Sequence, residues 1–330
     1  MRDFSRIYSK MPDTIYIYNK SISSTTLPSY FHSTTFEMCQ PLTLNDILYK
    51  NIFIDFYIYI LISLYFYINL RYNLMTMGQT VCFANNKGGV GKTTTAKCIA
   101  EAWARMGKKV LCVDLDSQAN LTTMLSPIEP GEREVSIRDA FINPDLFTIE
   151  HVAENIDLVP SDLSLSNFDR DTASIAGREY LLLDLLKNVK DNYDFIVIDC
   201  PPALGLITYN AMIAADHLVM VTTADALSYS GLVMVANLFA DVKSNERLNK
   251  GLKLTGVVVT RYEKNRLSEL YLSKIKEELG QAFISPVIRK ATKMQQAASI
   301  KQSIYDLDPS GKATADYIDV AQNLALRILQ

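Results

Sequence analysis

Beyond residue 77 the chain alternates between short, continuous apolar runs and longer segments whose apolar residues recur every three or four positions. The runs have the length of strands covered on both faces, and the periodic segments have the pattern of amphipathic helices. Strands are predicted at residues 81–84, 109–113, 157–160, 193–198, 217–222, 253–260 and 283–288. Helices are predicted at residues 94–106, 177–189, 230–242 and 267–279. Strand then helix, repeated, predicts an α/β fold: a doubly wound, mostly parallel sheet with helices on both faces.

The first 77 residues have a composition that no ordinary domain shows. They contain no Gly, Ala or Val, yet they carry ten of the eighteen tyrosines. The codons of the three missing residues all begin with G, as expected if AT-rich DNA upstream of a gene were translated. Met75 or Met77 would then be the true start. We therefore expect residues 1–76 to be a non-native or disordered extension, followed by a single domain over residues 77–330.

The alternative for this extension is a membrane anchor at residues 51–70. That segment is long and apolar enough to cross a bilayer as a helix, and Lys50 and Arg71 flank it. Asp55 lies within the span, and its tyrosines are spread through the middle instead of gathering at the interfaces. If mass spectrometry of the native protein found a peptide that covers residues 52–70, a true start at Met75 or Met77 would be refuted.

Charge and cysteine content exclude several classes of protein. Residues 78–330 carry 27 Lys and Arg against 31 Asp and Glu, so bulk charge does not predict nucleic-acid binding, and any such contact needs a local basic patch. The five cysteines are odd in number and show no C-x-x-C spacing, which indicates a reducing compartment instead of disulfides or metal ligands. With three histidines in the chain, a zinc site or a His-based triad has little to build on.

The segment from Thr80 to Thr95 carries the clearest candidate chemistry. Residues 88–91 are Gly-Gly-Val-Gly between a predicted strand and a predicted helix, so their backbone N–H groups can turn inward around an anion. Lys92 follows where its ammonium can reach β- and γ-phosphates, and Thr93 offers a hydroxyl to Mg²⁺. The helix that starts here directs its positive dipole end at the same place. The predicted nucleotide-binding residues are Gly88, Gly89, Val90, Gly91, Lys92, Thr93 and Thr94.

This loop departs from the usual G-x-x-x-x-G-K-[ST] pattern. Asn86 stands where the first Gly would be, and Lys87 directly precedes the glycines. The sequence Lys-Gly-Gly-Val-Gly-Lys-Thr at residues 87–93 resembles the deviant Walker A motif of the ParA/MinD family of ATPases. The resemblance implies ATP and Mg²⁺ as ligands and a homodimer that forms on ATP binding. It also implies that Lys87 crosses this dimer to touch the partner's phosphates.

Two further segments place carboxylates at strand ends. Residues 114–118, Asp-Leu-Asp-Ser-Gln, resemble the family's Walker A′ segment, and residues 199–202, Asp-Cys-Pro-Pro, resemble its Walker B position and the start of switch II. By resemblance, Asp116 orients or activates the attacking water, Asp114 supports the Mg²⁺ shell and Asp199 holds Mg²⁺ through water. Taken alone, each Asp could instead cap the helix that follows it. The resemblance therefore implies Lys87, Lys92 and Asp116 as catalytic residues, and Thr93, Asp114 and Asp199 as metal-site residues.

Basic residues follow two of the last predicted strands. They are Arg261, Lys264 and Arg266 after residues 253–260, and Arg289, Lys290 and Lys293 after residues 283–288. The resemblance implies DNA binding without sequence preference through these regions, since phosphate contacts need only local positive charge. An ordinary solvated surface has the same composition, and that alternative stays open.

The resemblance covers residues 78–330 and implies a partition ATPase of the ParA/Soj type. Such a protein binds DNA as an ATP-bound dimer and leaves it when a ParB-like centromere-binding partner stimulates slow hydrolysis. We accordingly expect a cytoplasmic, nucleoid-associated protein with no membrane partner.

Three alternatives share the loop. A MinD-like cell-division regulator should end in a basic membrane helix, whereas residues 314–329 carry two acids, one Arg and no Lys. A membrane-anchored tyrosine kinase-like ATPase should end in a tyrosine cluster, which the last residues, 324–330, do not contain. A nitrogenase-reductase-like protein is the third: it would need paired cluster cysteines, whereas Cys98, Cys112 and Cys200 lie in or beside predicted strands or helices. A DNA-coating scaffold without hydrolysis belongs to a different class, and the retained Asp116 argues against it.

Overall fold

The computed structural model describes residues 78–330. The expectations for residues 1–76, including the extension and the anchor at 51–70, lie outside the described residues.

A single sheet runs through the described part of the chain. Its strands are β1 (Gln79–Ala84), β2 (Val110–Asp114), β3 (Glu150–Ala153), β4 (Ile156–Val159), β5 (Phe195–Asp199), β6 (His217–Thr222), β7 (Lys253–Val259) and β8 (Phe283–Ile284). Across the sheet they lie in the order β3-β4-β2-β5-β1-β6-β7-β8. Every neighbouring pair is parallel except β3 with β4, which is antiparallel.

Helices connect these strands. They are α1 (Lys92–Arg105), α2 (Asn120–Leu125), α3 (Ile137–Ile142), α4 (Phe168–Asp171), α5 (Leu181–Leu186), α6 (Leu206–Ala214), α7 (Ala226–Ser244), α8 (Arg266–Leu279), α9 (Thr292–Ser299), α10 (Ile304–Leu307) and α11 (Lys312–Ile328). Within residues 78–330, none of them is long and apolar enough to cross a bilayer.

Alternate residues of the central strands belong to two separate cores, because successive side chains of a strand project to opposite faces. In β1, Val81 and Phe83 pack in one core, while Cys82 and Ala84 pack in the other. The first core is closed by α1, α2, α9, α10 and α11, and the second by α3, α4, α5, α6, α7 and α8. The prediction of a doubly wound, mostly parallel sheet with helices on both faces is confirmed.

Trp103 of α1 joins three parts of the first core. Its ring stacks on Phe195 of β5 with a centroid separation of 4.0 Å, and its Nε1 donates a hydrogen bond to the Ala321 carbonyl of α11 at 2.9 Å. Removing a buried side chain of this size typically costs about 3–5 kcal/mol. The last long helix is therefore fixed on the helix that follows the phosphate loop.

Several predicted bounds were wrong. The helix predicted at 177–189 is limited to α5, since Gly177 adopts a left-handed φ of 71° before it and a 3₁₀ turn at Lys190–Asn192 follows it. The strand predicted at 283–288 stops at Ile284, because Pro286 has no N–H to donate to a ladder. Helix α7 begins four residues earlier than predicted, where Asp225 caps it by accepting a hydrogen bond from the Ser228 amide at 2.9 Å.

The carboxyl ends of the central strands meet at one edge of the sheet. The register pairs Phe83 of β1 with Asp199 of β5, and Asp199 with Asp114 of β2. In open α/β sheets, ligands bind in the crevice beyond this edge, where the chain turns to opposite sides of a central strand. The loop after β1 and the acids after β2 and β5 therefore lie together.

Candidate nucleotide site

The phosphate loop, residues 85–91, joins β1 to α1. Gly89 and Gly91 adopt left-handed φ angles of 75° and 88°, which L side chains rarely allow. The buried Asn85 fixes the start of the loop: its Nδ2 donates to the Val221 carbonyl at 2.6 Å, and its Oδ1 accepts from the Lys87 amide at 2.9 Å. The loop is thereby anchored on β6 before it turns into the N-terminus of α1.

Lys92 is the first residue of α1 and is 7% exposed. Its Nζ donates to the Lys87 carbonyl at 3.3 Å, a long hydrogen bond. Burial lowers the pKa of Lys92, and the charges of Asp199 and Asp116 oppose that shift. A buried ammonium held weakly beside the loop is suited to take phosphate oxygens as its partners.

Asp199 ends β5 and is fully buried. Neither of its carboxylate oxygens has a hydrogen-bond partner within residues 78–330. Burial, and then the charge of Asp114, raise the pKa of Asp199 well above its ordinary value, while the nearby Thr93 hydroxyl and the Lys92 ammonium oppose the rise. A buried carboxylate without partners is costly, so this position fits a cation better than an empty interior. Together with the Thr93 hydroxyl it suits Mg²⁺, which prefers oxygen ligands and keeps several of its waters.

Asp114 organises the segment after β2. It accepts hydrogen bonds from the Asp116 amide at 3.0 Å, the Thr122 amide at 2.9 Å and the Thr122 hydroxyl at 2.8 Å. Burial raises the pKa of Asp114 to about 6, and these hydrogen bonds oppose the rise. Because both of its carboxylate oxygens already accept hydrogen bonds, Asp114 is placed to hold the turn that carries Asp116. The predicted role of Asp114 in supporting the Mg²⁺ shell stays a prediction.

Asp116 lies on the wall of the site and is 9% exposed. Its Oδ1 accepts from the Gln118 amide at 3.0 Å, and the Ser161 hydroxyl donates to its carbonyl at 2.8 Å. This leaves the carboxylate oriented but accessible from the cavity, as a residue that holds a water must be.

A cavity of about 680 Å³ opens beside the loop, a volume that suits a nucleotide-sized ligand. Its walls include Gly88, Gly89, Gly91, Lys92, Thr93, Thr94, Asp116, Pro202, Thr260, Arg261, Met294 and Tyr317. The structure therefore brings the predicted loop residues other than the buried Val90, together with Asp116, to one cavity. Asp199 is buried close to the Thr93 hydroxyl.

Lys87 takes a different direction from Lys92. Its Nζ donates to Asp225 Oδ1 and to Ser228 Oγ, both at 3.0 Å, at the N-terminus of α7. Partial burial raises the pKa of Asp225. Hydrogen bonds from Thr223, the Ser228 amide and Lys87 outweigh that effect and hold the pKa of Asp225 well below its usual range. To reach the phosphates of a partner subunit, as predicted, Lys87 must break its hydrogen bonds to Asp225 and Ser228.

The two predicted DNA regions lie side by side. The Tyr262 amide donates to the Ile288 carbonyl at 2.9 Å, and the Lys290 amide donates to the Tyr262 carbonyl at 3.1 Å. All six basic residues are exposed, but three have acidic partners: Arg289 forms a two-point pair with Asp316, Lys290 contacts Glu263 at 3.0 Å, and Lys264 lies 3.7 Å from Glu269. Arg261 instead contacts the phosphate loop, its Nη1 donating to the Gly89 carbonyl at 2.6 Å.

Sequence reasoning missed four residues of the site: Asn85, Asp225, Thr260 and Tyr317. The first three follow or end strands at the carboxyl edge of the sheet, and the strand-end rule that identified Asp116 would have found them. Tyr317 comes from α11, and its hydroxyl lies 3.3 Å from that of Thr95. Residues 308–317 resemble the family's closing segment, but their spacing is shifted, so the resemblance assigns no nucleotide contact to Tyr317.

Comparison with known proteins agrees with this geometry. Residues 78–254 match a family model described as an AAA domain. The chain is 32% identical over 254 residues to the sporulation initiation inhibitor protein Soj of Bacillus subtilis, a match that spans 76% of this chain and 99% of Soj. It is 31% identical over 257 residues to the chromosome partitioning protein ParA of Caulobacter vibrioides, spanning 76% of this chain and 94% of that protein.

A solved structure gives the same result for the fold. Cobyrinic acid a,c-diamide synthase from Mycobacterium smegmatis, with bound ADP and magnesium, superposes with a TM-score of 0.64 at 28% identity. The match covers 74% of this chain and 93% of the synthase. By its phosphate loop, its strand-end acids and these relatives, the chain belongs to the ParA/MinD family of P-loop ATPases and is of the ParA/Soj type.

Proposed function

We propose that this protein is a DNA partition ATPase. Two copies join when each binds ATP with Mg²⁺, and the dimer binds nucleoid DNA without sequence preference. Hydrolysis, slow alone and stimulated by a ParB-like partner, then releases it. The two predicted DNA regions, residues 261–266 and 289–293, are called the basic loops. The observation that carries this proposal is that the two basic loops are hydrogen-bonded to each other through Tyr262, beside the cavity that contains the phosphate loop.

The chemistry proposed for the site is positioning and charge neutralisation. Lys92 and the N-terminus of α1 bind phosphate oxygens, and Asp116 holds the attacking water in line with the bond to be broken. When bound, Mg²⁺ neutralises charge on the β- and γ-phosphate oxygens, and Thr93 with Asp199 would hold it. Asp114 contributes through the turn that orients Asp116.

In this proposal, dimerisation brings one more positive charge to each bound triphosphate. In the proposed dimer, Lys87 leaves Asp225 and meets the phosphates bound to the other subunit. An ammonium that is one-third exposed and tied to a surface carboxylate can exchange partners at small cost. A triphosphate offers it more negative charge than Asp225 does.

DNA binding in this proposal is electrostatic. Lys264, Arg266 and Lys293 are exposed near the joined loops, and their ammonium and guanidinium groups suit phosphate contacts. Because the chain is acidic overall, such binding must be local and sensitive to salt.

The packing of α11 favours partition over a lipid-binding regulator. Its apolar residues Val320, Ala321 and Leu324 are buried against the core that α1 shares. That face is therefore engaged within the domain and does not serve as an interfacial helix.

The test is DNA binding by the full chain with ATP, with ADP and without nucleotide, on two unrelated DNA sequences. We expect ATP-selective binding, equal for both sequences, that weakens steeply between about 50 and 200 mM salt. Lys92→Ala is the control that should bind under none of these conditions. Equal binding in all three nucleotide states, or binding to anionic vesicles in place of DNA, would contradict the proposal.

A further inference from the structure

We infer that Thr260 and Arg261, the two residues that follow β7, are positioning residues of the nucleotide site. They hold peptide groups of the phosphate loop in the orientation that a bound triphosphate requires. Arg261 thus serves the nucleotide, in contrast to the DNA contact expected from its place in the sequence.

Both residues donate hydrogen bonds to carbonyl oxygens of the loop. Arg261 Nη1 lies 2.6 Å from the Gly89 oxygen, and Thr260 Oγ1 lies 2.5 Å from the Val90 oxygen. These carbonyls belong to consecutive residues, so two adjacent peptide groups of the loop are held by two adjacent residues that follow β7. Both donors also line the cavity.

Peptide stereochemistry links these contacts to phosphate binding. In a trans peptide, the carbonyl oxygen and the following N–H point in opposite directions. Fixing the Gly89 carbonyl therefore directs the Val90 N–H to the other side, and fixing the Val90 carbonyl does the same for the Gly91 N–H. N–H groups of this loop are the ones that would surround an anion.

The loop needs such a restraint because its own residues provide little. Gly89 and Gly91 have no Cβ, and a Cβ built on Gly89 would meet nothing within 4 Å. Peptide groups flanked by glycine rotate easily and lose much entropy when they are ordered. Contacts that order them in advance reduce the entropy lost on binding, which improves affinity.

The two donors are themselves held in place. Thr260 is 1% exposed, and its amide donates to the Thr222 carbonyl of β6 at 2.7 Å. Arg261 has a left-handed φ of 51°, which is uncommon for a residue other than glycine and persists where the surroundings impose it. Its neighbour Tyr262 is fixed through the Ile288 carbonyl.

The inference rests on the nucleotide binding of the proposed function and is independent of DNA. Its test titrates full-length variants with a fluorescent, non-hydrolysable ATP analogue and Mg²⁺. Arg261→Ala and Thr260→Val should each bind about tenfold more weakly, a change of about 1.4 kcal/mol. Arg261→Lys, which keeps a donor, should recover part of the loss, and Thr260→Ser should bind as the wild type does. Arg247→Ala, an exposed arginine on another surface, is the matched control.

Steady-state kinetics and DNA binding separate positioning from other roles. For Arg261→Ala, KM should rise more than kcat falls, the nucleotide-free melting temperature should stay within about 2 °C, and DNA binding at saturating nucleotide should match the wild type. The inference is overturned if Arg261→Ala and Thr260→Val bind nucleotide within twofold of the wild type. It is also overturned if Arg261→Ala loses DNA binding at saturating nucleotide. A wild-type protein that binds nucleotide but no DNA would contradict the partition proposal while leaving the titration decisive for these two residues.

Discussion

Lys87 and Asp225 form an ion pair within one subunit, with Nζ and Oδ1 3.0 Å apart. The two residues are 138 positions apart in sequence, and the contact joins the phosphate loop to the N-terminus of α7. The lysine that the family resemblance assigns to the partner's phosphates thus contacts a carboxylate of its own subunit.

Releasing this lysine should favour the dimer. Asp225→Asn removes the charge but keeps the cap on α7, because Asn caps helices as well as Asp does. A partly exposed pair contributes about 0.5 kcal/mol, so with two pairs per dimer the ATP-dependent dissociation constant should fall about fivefold. Sedimentation equilibrium with a non-hydrolysable ATP analogue measures it. An unchanged or weaker dimer would show that the pair does not compete with dimerisation.

Asp116→Ala should remove hydrolysis while leaving nucleotide and DNA binding in place. A residue that orients or activates the attacking water contributes about 100-fold or more to kcat. The variant should therefore stay on DNA with ATP, as measured by phosphate release and by dissociation from immobilised DNA. Asp116→Asn keeps an acceptor for the Gln118 amide, so it preserves the turn and should be equally slow. Hydrolysis by Asp116→Ala at the wild-type rate would refute the role given to this carboxylate.

Within the basic loops, Lys293 should contact DNA, whereas Arg289 should form a structural ion pair. Lys293 is exposed, so Lys293→Ala should weaken binding equally for all sequences and lower the slope of log affinity against log salt by about 0.9. Arg289 instead covers Asp316, whose side chain is 5% exposed, so Arg289→Ala should lower the free energy of unfolding by about 1–3 kcal/mol. DNA titrations over a salt series and urea unfolding measure the two effects. A salt slope unchanged by Lys293→Ala would exclude that contact.

Acid should weaken the fold through His217. Its Nδ1 lies 2.6 Å from Thr255 Oγ1 and its Nε2 3.1 Å from Gln79 Oε1, and burial lowers the pKa of His217 from 6.5 to about 4. The unfolded chain therefore binds a proton that the folded protein excludes until much lower pH. The resulting stability is fully present above pH 6.5 and is lost as the pH falls towards 4.

Urea unfolding at pH 7 and pH 5 tests this dependence. The wild type should lose about 2 kcal/mol more than His217→Gln does over that interval. His151→Gln, at an exposed histidine, is the control and should behave as the wild type. The same loss in His217→Gln would assign the pH dependence to other groups.

The sequence predicted the elements that are buried on both faces. The strand predicted at residues 217–222 coincides with β6, which is buried throughout, because a continuous apolar run has little choice of structure. The antiparallel β3 was missed: its burial alternates at the edge of the sheet and gives a weak pattern over four residues. Short, half-exposed elements depend on their neighbours more than on their own residues.

The same contrast holds for the site. Gly88 to Thr93 could be predicted because a phosphate loop is a local motif with fixed spacing. The strand-end rule could have placed Asp225, Thr260 and Arg261 at the same edge of the sheet, but not their contacts with that loop, because these contacts depend on packing between segments far apart in the chain. The orphaned carboxylate of Asp199 likewise depends on the packing around it, which only the folded chain defines.

In the proposed dimer, two copies bind a pair of ATP molecules between their phosphate loops. Sedimentation velocity of the wild type and of Lys87→Ala, each with a non-hydrolysable ATP analogue and Mg²⁺, distinguishes this dimer from a monomer. We expect a dimer for the wild type and a nucleotide-bound monomer for Lys87→Ala. A wild-type protein that binds the analogue but sediments as a monomer at every concentration would contradict the proposed dimer.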